Sequence, residues 1–321
     1  MNESGIWISH YTLPLKSGSG NARSTRKELS GVLLRVDEGF ACLQPWPELG
    51  DPALKQCLED LRGERRRSIV RRALRCAEMD GTARKLEDWM FEEMEVPVSH
   101  GTLVSLDQME LEELIEAGFK VVKLKCGKEL VREAVFLREM NAVHPKVRWR
   151  LDFHEAGTHE TVRDLLLGIP VQVRGRIEFV ADPCPYVGEV WKKLSKETGV
   201  KLAVDREAEP RCEGADVVVI KPAVDEPWLL GEAAALARKR VVLTSYMDHP
   251  LGQSFAAWEA GRLSLQFPDL VERCGLQTHG LFEESEFTEA LGPVGPEFHP
   301  CDGTGLGFDD LLDTLVWTPL N

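Results

Sequence analysis

The sequence predicts an α/β fold, specifically a closed barrel of parallel strands with helices around the outside. From residue 98 onward, short apolar strands alternate with amphipathic helices, the pattern that right-handed crossovers produce between parallel strands. The series contains seven or eight strands, a number that favours a closed barrel over an open sheet. No G-x-G-x-x-G motif follows the first strand, which argues against a dinucleotide-binding sheet.

The elements of the predicted barrel follow one another closely along the chain. The strands are expected at 98–104, 119–125, 147–153, 176–181, 200–204, 216–221 and 240–245. The helices are expected at 106–117, 128–142, 158–168, 187–198, 226–238 and 251–260. The segments LSLQFPD and VERCGLQTHG end the series.

The chain before the barrel, residues 1–97, has a mixed α+β character. The segment GVLLRVDEGFACLQPW (31–46) predicts two strands around an Asp-Glu-Gly turn. A helix is expected to begin near Asp51 and Pro52, and further helices over 63–95. We therefore predict a first domain at 1–97 and a barrel domain at 98–295. The Gly-rich and then helical tail, 296–321, is expected to pack back on the first domain.

Composition limits the partners and the compartment. The 321 residues include 39 Lys and Arg against 53 Asp and Glu, a formal charge of −14, which repels nucleic acid and anionic membranes. No apolar run is long enough to span a membrane, and the N-terminus lacks the pattern of a secretory signal. The cytoplasm is the expected location.

Reduced thiols are expected at the eight scattered cysteines, 42, 57, 76, 126, 184, 212, 274 and 301.

One basic run, RGERRRSIVRRALR (62–75), departs from this acidic balance. At helical spacing its Ile69, Val70, Ala73 and Leu74 form an apolar stripe, with the arginines expected on the solvent face. A solvated helix is the favoured interpretation, and an RNA-binding role is less favoured.

Charged residues end most of the predicted strands, where barrel enzymes carry their active sites. Lys123 and Lys125 lie two positions apart and so on one side of their strand. The next strand ends are marked by Asp152, Asp182, Asp205, Lys221, and then Ser245 with Asp248. A single strand-end Asp is usually a cap or turn residue, and a lone Lys-Pro is usually the start of a loop. The ordered series as a whole instead favours a catalytic site.

These residue types indicate a particular chemistry. Clustered carboxylates without His or Cys suit Mg²⁺ or Mn²⁺ rather than zinc. Burial and a neighbouring like charge both disfavour an ammonium ion, so one lysine can act as a neutral base near pH 7. We expect Lys123 to lower the pKa of Lys125 and to help bind an anionic substrate. The divalent ion would stabilise the enediolate formed when a proton leaves the carbon next to a carboxylate.

Six short motifs, in order, resemble those of the enolase superfamily, and specifically its o-succinylbenzoate synthase branch. They are EELIEAGFKVVKLKCG, RLDFHEAGT, FVADPCP, AVDRE, VVVIKP and TSYMDHPLGQ. The resemblance covers most of 98–280. It implies a (β/α)₇β TIM-type barrel with an α+β capping domain built from the N-terminal segment and the C-terminal tail.

The resemblance also implies a reaction and roles for residues. The reaction is the Mg²⁺-dependent dehydration of 2-succinyl-6-hydroxy-2,4-cyclohexadiene-1-carboxylate to 2-succinylbenzoate, a step of menaquinone synthesis. Lys125 would take the α-proton and assist departure of hydroxide, and Lys221 would stabilise the enediolate from the opposite side. Asp152 and Asp205 would bind the metal. The residues that would contact the substrate are Arg150, Ser245 and Asp248.

Three positions depart from the family pattern. Ala181 stands where the metal-binding Glu of the fourth strand is expected, with Asp182 as the next acid. Either Asp182 turns inward to bind the metal, or the ion loses one protein ligand to water. His154 stands where Asn is usual, with His159 nearby, and both are expected to be orienting or loop residues. Asp248 stands where Glu is usual.

Other activities remain open at this stage. The same lysines could serve as two bases in an N-acylamino acid racemase or a dipeptide epimerase. A non-catalytic relative is a third reading, motivated by Ala181. The loop QPWPELGDP (44–52) is expected to determine substrate choice. The partner is expected to be a small carboxylate, and no oligomeric state is predicted.

Overall fold

The computed structural model describes residues 5–17, 24, 26–207 and 214–321, and within them it contains two β-sheets. The first is antiparallel, with the strand order β11-β1-β2-β3. Its strands are β1 (Ile6–Pro14), β2 (Glu28–Val36), β3 (Gly39–Leu43) and β11 (Thr318–Pro319). The two-strand prediction for 31–46 is thus confirmed, with the turn at Asp37 and Glu38.

The second sheet is parallel and has seven strands in simple chain order. These are β4 (Gly101–Leu103), β5 (Val121–Lys125), β6 (Arg148–Asp152), β7 (Ile177–Ala181), β8 (Leu202–Val204), β9 (Val217–Ile220) and β10 (Arg240–Leu243). Residues 270–276 close the sheet: Cys274 N donates to Val98 O at 2.8 Å, and Gly275 N donates to Leu243 O at 2.8 Å. This closing segment takes the eighth position of the barrel, and the predicted fold class is confirmed.

Helices connect and surround the two sheets. They are α1 (Leu54–Arg62), α2 (Ser68–Lys85), α3 (Gln108–Glu116), α4 (Leu130–Val143), α5 (His159–Gly168), α6 (Val171–Arg174), α7 (Gly188–Thr198), α8 (Pro227–Leu236), α9 (Pro250–Gln266), α10 (Glu286–Glu289) and α11 (Asp309–Asp313). Short 3₁₀ turns occur at Pro47–Leu49 and Thr278–Leu281. Within the described ranges, no helix combines the length and the apolarity needed to cross a bilayer.

The barrel strands bury both of their faces, as parallel strands covered by helices must. Val122, Leu124, Leu151 and Val180 belong to the large core under the helices. A smaller cluster fills the inside of the barrel, and it comprises Phe179, Ala181, Ala203, Val217, Val219 and Val242. Side chains that alternate with the outer set therefore point toward the barrel axis.

Most predicted barrel elements differ from the observed ones by one to three residues, and the larger differences have physical causes. Helix α9 runs six residues beyond the predicted end at 260, because it is buried on nearly all sides and so shows little amphipathic periodicity. Over 63–95 a single helix, α2, is followed by turns after Lys85. Strands β1 and β11 were not predicted; β11 is at the edge of the first sheet, and β1 lies between β11 and β2.

The basic run 62–75 differs from its prediction in two respects: Arg62 ends α1 and α2 begins only at Ser68, and one arginine of α2 does not face solvent. Ile69, Val70 and Ala73 are buried as expected, but Arg72 is also buried, with 3% of its surface exposed. Its guanidinium donates to Pro222 O at 2.9 Å and pairs with Glu226 at 2.8 Å and Glu259 at 2.6 Å. The helix lies between the first sheet and the barrel, so a residue flanking the apolar stripe meets barrel side chains instead of solvent.

Both ends of the chain contribute to the first sheet. Thr318 and Pro319 pair with Ile8 and Trp7 of β1, and Gly305 forms a bridge with Trp89.

The domain boundaries at 97 and 295 stay predictions. The cysteines within the described residues carry free thiols, while Cys212 lies outside them.

Candidate active site

A cavity of about 630 Å³ lies between the carboxyl ends of the barrel strands and the first domain. The barrel contributes Lys123, Lys125, Asp152, Asp205 and Lys221 to its lining. The first domain covers it with Trp46 and residues 49–52 of the predicted substrate loop, and with residues 67–69 at the start of α2. Strand ends carrying charge therefore face an enclosed space that a small molecule can fill.

Lys123 and Asp152 form an ion pair on one side of this cavity. The Lys123 ammonium lies 3.1 Å from Asp152 Oδ2. Burial alone would lower the pKa of Lys123, but the carboxylates of Asp152 and Asp205 raise it above its ordinary value. Burial likewise opposes ionisation of Asp152, yet His154 and Lys123 hold its pKa well below the usual range. Lys123 is thus a fixed cation.

Lys125 sits in a different environment although it is only two residues away. Its amine lies 3.9 Å from the sulfur of Met247, an apolar and weakly accepting neighbour. Burial, and then the charge of Lys123, lower the pKa of Lys125 to about 7. Near neutral pH a large share of Lys125 is therefore the free amine, the form that can accept a proton.

Lys221 lies on the far side of the barrel from Lys125. Strands β5 and β9 are four positions apart in either direction around the eight-position ring, counting the closing segment. The Lys221 ammonium is 2.5 Å from Asp205 Oδ1 and also donates to the Asp205 carbonyl. Its backbone N–H donates to Asp225 at 2.7 Å. These contacts fix the position of the Lys221 side chain at the cavity wall.

Asp182 turns toward its neighbours at the end of β7. Its φ of 40° lies in the left-handed region, uncommon for a residue other than glycine. Oδ1 accepts the backbone N–H of Asp205 at 3.0 Å, while Ala181 packs inside the barrel. Burial and the charge of Asp205 raise the pKa of Asp182. Asp182 is not among the residues that line the cavity, and the choice between the two arrangements considered for this acid stays a prediction.

The three aspartates fit a divalent ion in the chemistry of their donors. Asp152, Asp182 and Asp205 end consecutive strands and offer only hard oxygen atoms. Asp182 Oδ2 is buried without a hydrogen-bond partner, a state that a cation would relieve. Among the described residues no three His, Cys, Asp or Glu are arranged to hold an ion, because Asp152 and Asp205 are turned toward lysines.

His154 follows the first of these aspartates. Its φ is 48°, its ring Nδ1 lies 3.2 Å from Asp152 Oδ1, and its backbone N–H donates to the same oxygen at 3.3 Å. Burial lowers its pKa. The contacts agree with an orienting role. His159 begins α5, and its ring lies 3.2 Å from Glu197.

Arg150 corrects one expectation, because it does not line the cavity. Only 1% of its surface is exposed. Its guanidinium bonds Glu178 at 2.7 Å, Arg273 O at 2.7 Å and the ring of His100 at 2.9 Å. Position 150 precedes Asp152 by two residues on the same face of β6, so its side chain points into the barrel one layer below the strand ends.

Asp248 corrects a second expectation. It is buried away from the cavity, with 2% exposed, and accepts the backbone N–H of Tyr246 at 3.3 Å. Burial raises its pKa to about 7. A Cβ at Gly252 would lie 2.2 Å from Oδ2, so the carboxyl packs against the start of α9. Ser245 does line the cavity, and its hydroxyl lies 2.6 Å from that of Thr278.

Sequence reasoning missed several lining residues. His100 and Thr102 lie at β4, and Arg206 follows Asp205. Tyr246 anchors the covering loop: its hydroxyl donates to Asp51 Oδ2 at 2.8 Å, and its carbonyl accepts from Trp46 Nε1 at 3.1 Å. A histidine beside the first barrel strand was a detectable signal, whereas a contact between positions 195 residues apart was not.

Comparison with known proteins adds independent information. Residues 6–83 match the family model "O-succinylbenzoate synthase, N-terminal domain". An o-succinylbenzoate synthase of Bdellovibrio bacteriovorus is 34% identical, with 98% of each chain covered. The o-succinylbenzoate synthase of Aliivibrio salmonicida is 26% identical, over 86% of this chain and 90% of its own.

Solved structures extend the likeness of fold. The N-succinyl Arg/Lys racemase from Bacillus cereus superposes with a TM-score of 0.79 at 16% identity, covering 99% of both chains. The L-Ala-D/L-Glu epimerase from Bacillus subtilis gives 0.77 at 17% identity, covering 94% of this chain and 97% of its own. Identities this low show a common fold only. The full-length relative at 34% identity shows the family. The chain belongs to the o-succinylbenzoate synthase family of lyases.

Proposed function

We propose that this protein dehydrates 2-succinyl-6-hydroxy-2,4-cyclohexadiene-1-carboxylate to 2-succinylbenzoate, as a step of menaquinone synthesis. The observation that carries the proposal is Lys125, an amine with a pKa of about 7 at the end of β5, facing the cavity. A base with this pKa is suited to taking a proton at neutral pH. The family membership of the chain supports the same substrate.

Lys125 serves as both base and acid in this proposal. As the free amine it takes the proton from the ring carbon that bears the carboxylate, and it becomes an ammonium ion. The same ammonium then returns that proton to the departing hydroxyl group, so that water leaves and the ring becomes aromatic. Because one lysine performs both transfers, proton and hydroxyl leave from the same face of the ring.

Lys221 supplies positive charge from the opposite side of the cavity. Negative charge moves onto the substrate carboxylate when the α-proton leaves, and a fixed cation nearby stabilises that charge. The 2.5 Å contact with Asp205 keeps the Lys221 ammonium in place. Lys123, paired with Asp152, adds a second fixed cation for the anionic substrate.

Asp152, Asp182 and Asp205 are the residues that would hold a divalent ion, Mg²⁺ or in its place Mn²⁺. Bound there, the ion supplies positive charge beside the substrate carboxylate. To bind it, Asp152 and Asp205 would exchange part of their lysine contacts for the ion. Ser245 is placed to bond a substrate oxygen at the cavity wall. Trp46 and residues 49–52 would set the shape that the substrate must match.

Racemisation or epimerisation by two bases is the alternative. It requires Lys221 to act as a second base that exchanges protons from the opposite face. The Lys221 amine donates to the carboxylate and the carbonyl of Asp205 and is therefore held against the protein, which supports one-base dehydration. A test in D₂O separates the two reactions, since a two-base enzyme incorporates deuterium into an N-acylamino acid or dipeptide substrate.

The direct test mixes purified protein with the cyclohexadiene and Mg²⁺ and follows the diene absorbance as the ring aromatises. Conversion should be lost in Lys125→Ala, in Lys221→Ala and on addition of chelator. Lys120→Ala, an exposed lysine just before the same strand, is the matched control and should retain full activity. Absence of conversion by a folded, Mg²⁺-supplied wild type would overturn the dehydration proposal.

A further inference from the structure

His100 is a cavity-lining residue that the reaction scheme does not use. It immediately precedes β4 and lines the cavity together with Thr102, Lys123 and Gly275. Thr102 pairs in register with Lys123, so His100 lies deeper along the strand direction than either lysine of β5. Only 3% of its surface is exposed. Its ring is therefore part of the inner end of the cavity, away from the covering loop.

Arg150 determines which ring nitrogen of His100 carries the proton. The Arg150 Nη1 atom lies 2.9 Å from Nδ1 of His100, and a guanidinium can only donate. Nδ1 must therefore be the accepting nitrogen, which places the proton of the neutral ring on Nε2. Arg150 is itself fixed by Glu178, by the carbonyl of Arg273 and by the face of Phe179, 4.8 Å away.

The charges around the ring keep it neutral. Burial, and then the neighbouring cations Arg150 and Lys123, hold the pKa of His100 well below its usual value, with Asp152 acting in the opposite direction. The residue therefore presents an uncharged N–H donor whose direction and protonation do not change over the working pH range.

Gly275 allows the ring of His100 to lie at the cavity wall. A Cβ built at Gly275 would lie 2.9 Å from His100 Nε2 and 2.7 Å from its Cε1, closer than a real Cβ can lie, so any other residue would displace the ring. Both residues line the cavity, and an oxygen atom of a molecule bound against this wall can accept a hydrogen bond from Nε2.

We propose that His100 donates a hydrogen bond from Nε2 to a carbonyl or carboxylate oxygen of the substrate, and that Arg150 positions it by fixing the tautomer. This inference rests on the proposed function. It also specifies the substrate class: the group that reaches this part of the cavity must be an acceptor. A group that can only donate, such as an ammonium or an amide N–H, would face an N–H and the Lys123 cation.

Two variants of His100 distinguish the effect of losing the N–H donor from the effect of losing the imidazole ring. Gln places an N–H₂ donor near the position of Nε2, whereas the shorter Asn can turn its Oδ1 to Arg150 but does not carry its N–H₂ as far as the position of Nε2. With Mg²⁺ present, His100→Asn should weaken binding of 2-succinylbenzoate, measured by calorimetry, by about 10- to 100-fold, the effect of one lost hydrogen bond to a charged group. His100→Gln should stay within about fivefold of wild type, and the exposed His10→Asn should match wild type.

Either of two binding results would overturn the inference: unchanged affinity in His100→Asn, or equal losses in both variants. A second measurement needs no substrate. Long-range ¹H–¹⁵N spectra of the histidine rings, with His100 identified by its loss in His100→Gln, should show a protonated Nε2 and bare Nδ1 from pH 6 to 8.5. A protonated Nδ1, or a ring that titrates in this range, would also overturn it. Failure of the wild type to convert the diene would count against the proposed reaction instead.

Discussion

Lys125 and Lys123 are two residues apart, yet they have opposite electrostatic environments. Asp152 forms an ion pair with Lys123 and stabilises its ammonium form. Lys125 instead lies near the sulfur atom of Met247 and the charge of Lys123. The free amine is the reactive form, so kcat/KM should rise with pH through about 7 and level off above it.

Removing Lys123 tests the origin of that pKa. In Lys123→Met a like charge disappears and Asp152 loses its partner, and both changes favour the ammonium form of Lys125. The rising limb of the kcat/KM profile should therefore move to higher pH, on the order of one unit. Lys120→Met is the control and should leave the limb in place. A limb that stays still or moves to lower pH in Lys123→Met would contradict this assignment.

The same pKa carries a cost in stability. The folded-state pKa of Lys125 is about 7, against an ordinary value of 10.5, so the unfolded chain binds more protons between these limits and stability rises with pH there. Lys125→Met should be more stable than wild type at pH 7, on the order of 1.4 kcal/mol for each unit of pKa shift and a few kcal/mol at most. The difference should shrink toward pH 10. Urea unfolding of the metal-free proteins measures it, and a variant less stable than wild type at pH 7 would contradict the prediction.

Among the elements, α2 joins the first domain to the barrel. Arg72 from this helix reaches Pro222, the residue after Lys221, and two glutamates of the barrel domain. The helix thus connects the cover of the cavity to the loop that carries one of the lysines. The hydrophobic pattern predicted a helix in this part of the chain. It could not show that Arg72 forms ion pairs with Glu226 and Glu259.

Arg72→Met should destabilise the fold by about 3–5 kcal/mol, because it breaks a buried ion pair and leaves Glu259 with only the longer contact of 3.5 Å to Arg262. Arg75→Met is the matched control on the same helix. Arg75 pairs with Glu78 at 2.7 Å, but both side chains are at least half exposed, so its removal should cost less than about 1 kcal/mol. Urea unfolding compares the two. Equal effects would show that the buried contacts do not stabilise the domain junction.

The covering loop is held through Tyr246. Asp51 accepts from both the Tyr246 hydroxyl and the Trp46 backbone, each at 2.8 Å. Tyr246→Phe removes one of these bonds, and the loop should then cover the cavity less often. We expect KM to rise about three- to tenfold, as about 1 kcal/mol of hydrogen bonding predicts, and proteolysis within 44–52 to become faster. If both KM and the rate of proteolysis stayed unchanged, the hydrogen bond between Tyr246 and Asp51 would have no role in holding the loop.

For the whole molecule, the sequence was most informative where local pattern determines structure. Alternating strands and helices predicted the barrel, and the charged strand ends predicted Lys123, Lys125, Asp152, Asp205 and Lys221 at one cavity. Arg150 and Asp248 were misplaced because the depth of a side chain in a barrel depends on strand stagger, which one sequence does not reveal. The roles of Asp51 and Tyr246 depend on a contact between distant parts of the chain. Such contacts have no local signature.

The pairing of β1 with β11 has a consequence for how the chain is made. About three hundred residues separate these neighbouring strands, and the entire barrel is encoded between them. At about 5 to 20 residues per second, β1 is synthesised roughly 15 to 60 s before β11. For that time the first sheet has an open edge, which is a site for wrong pairing with other nascent chains. Newly made protein should therefore depend on chaperones that shield this edge until β11 is available.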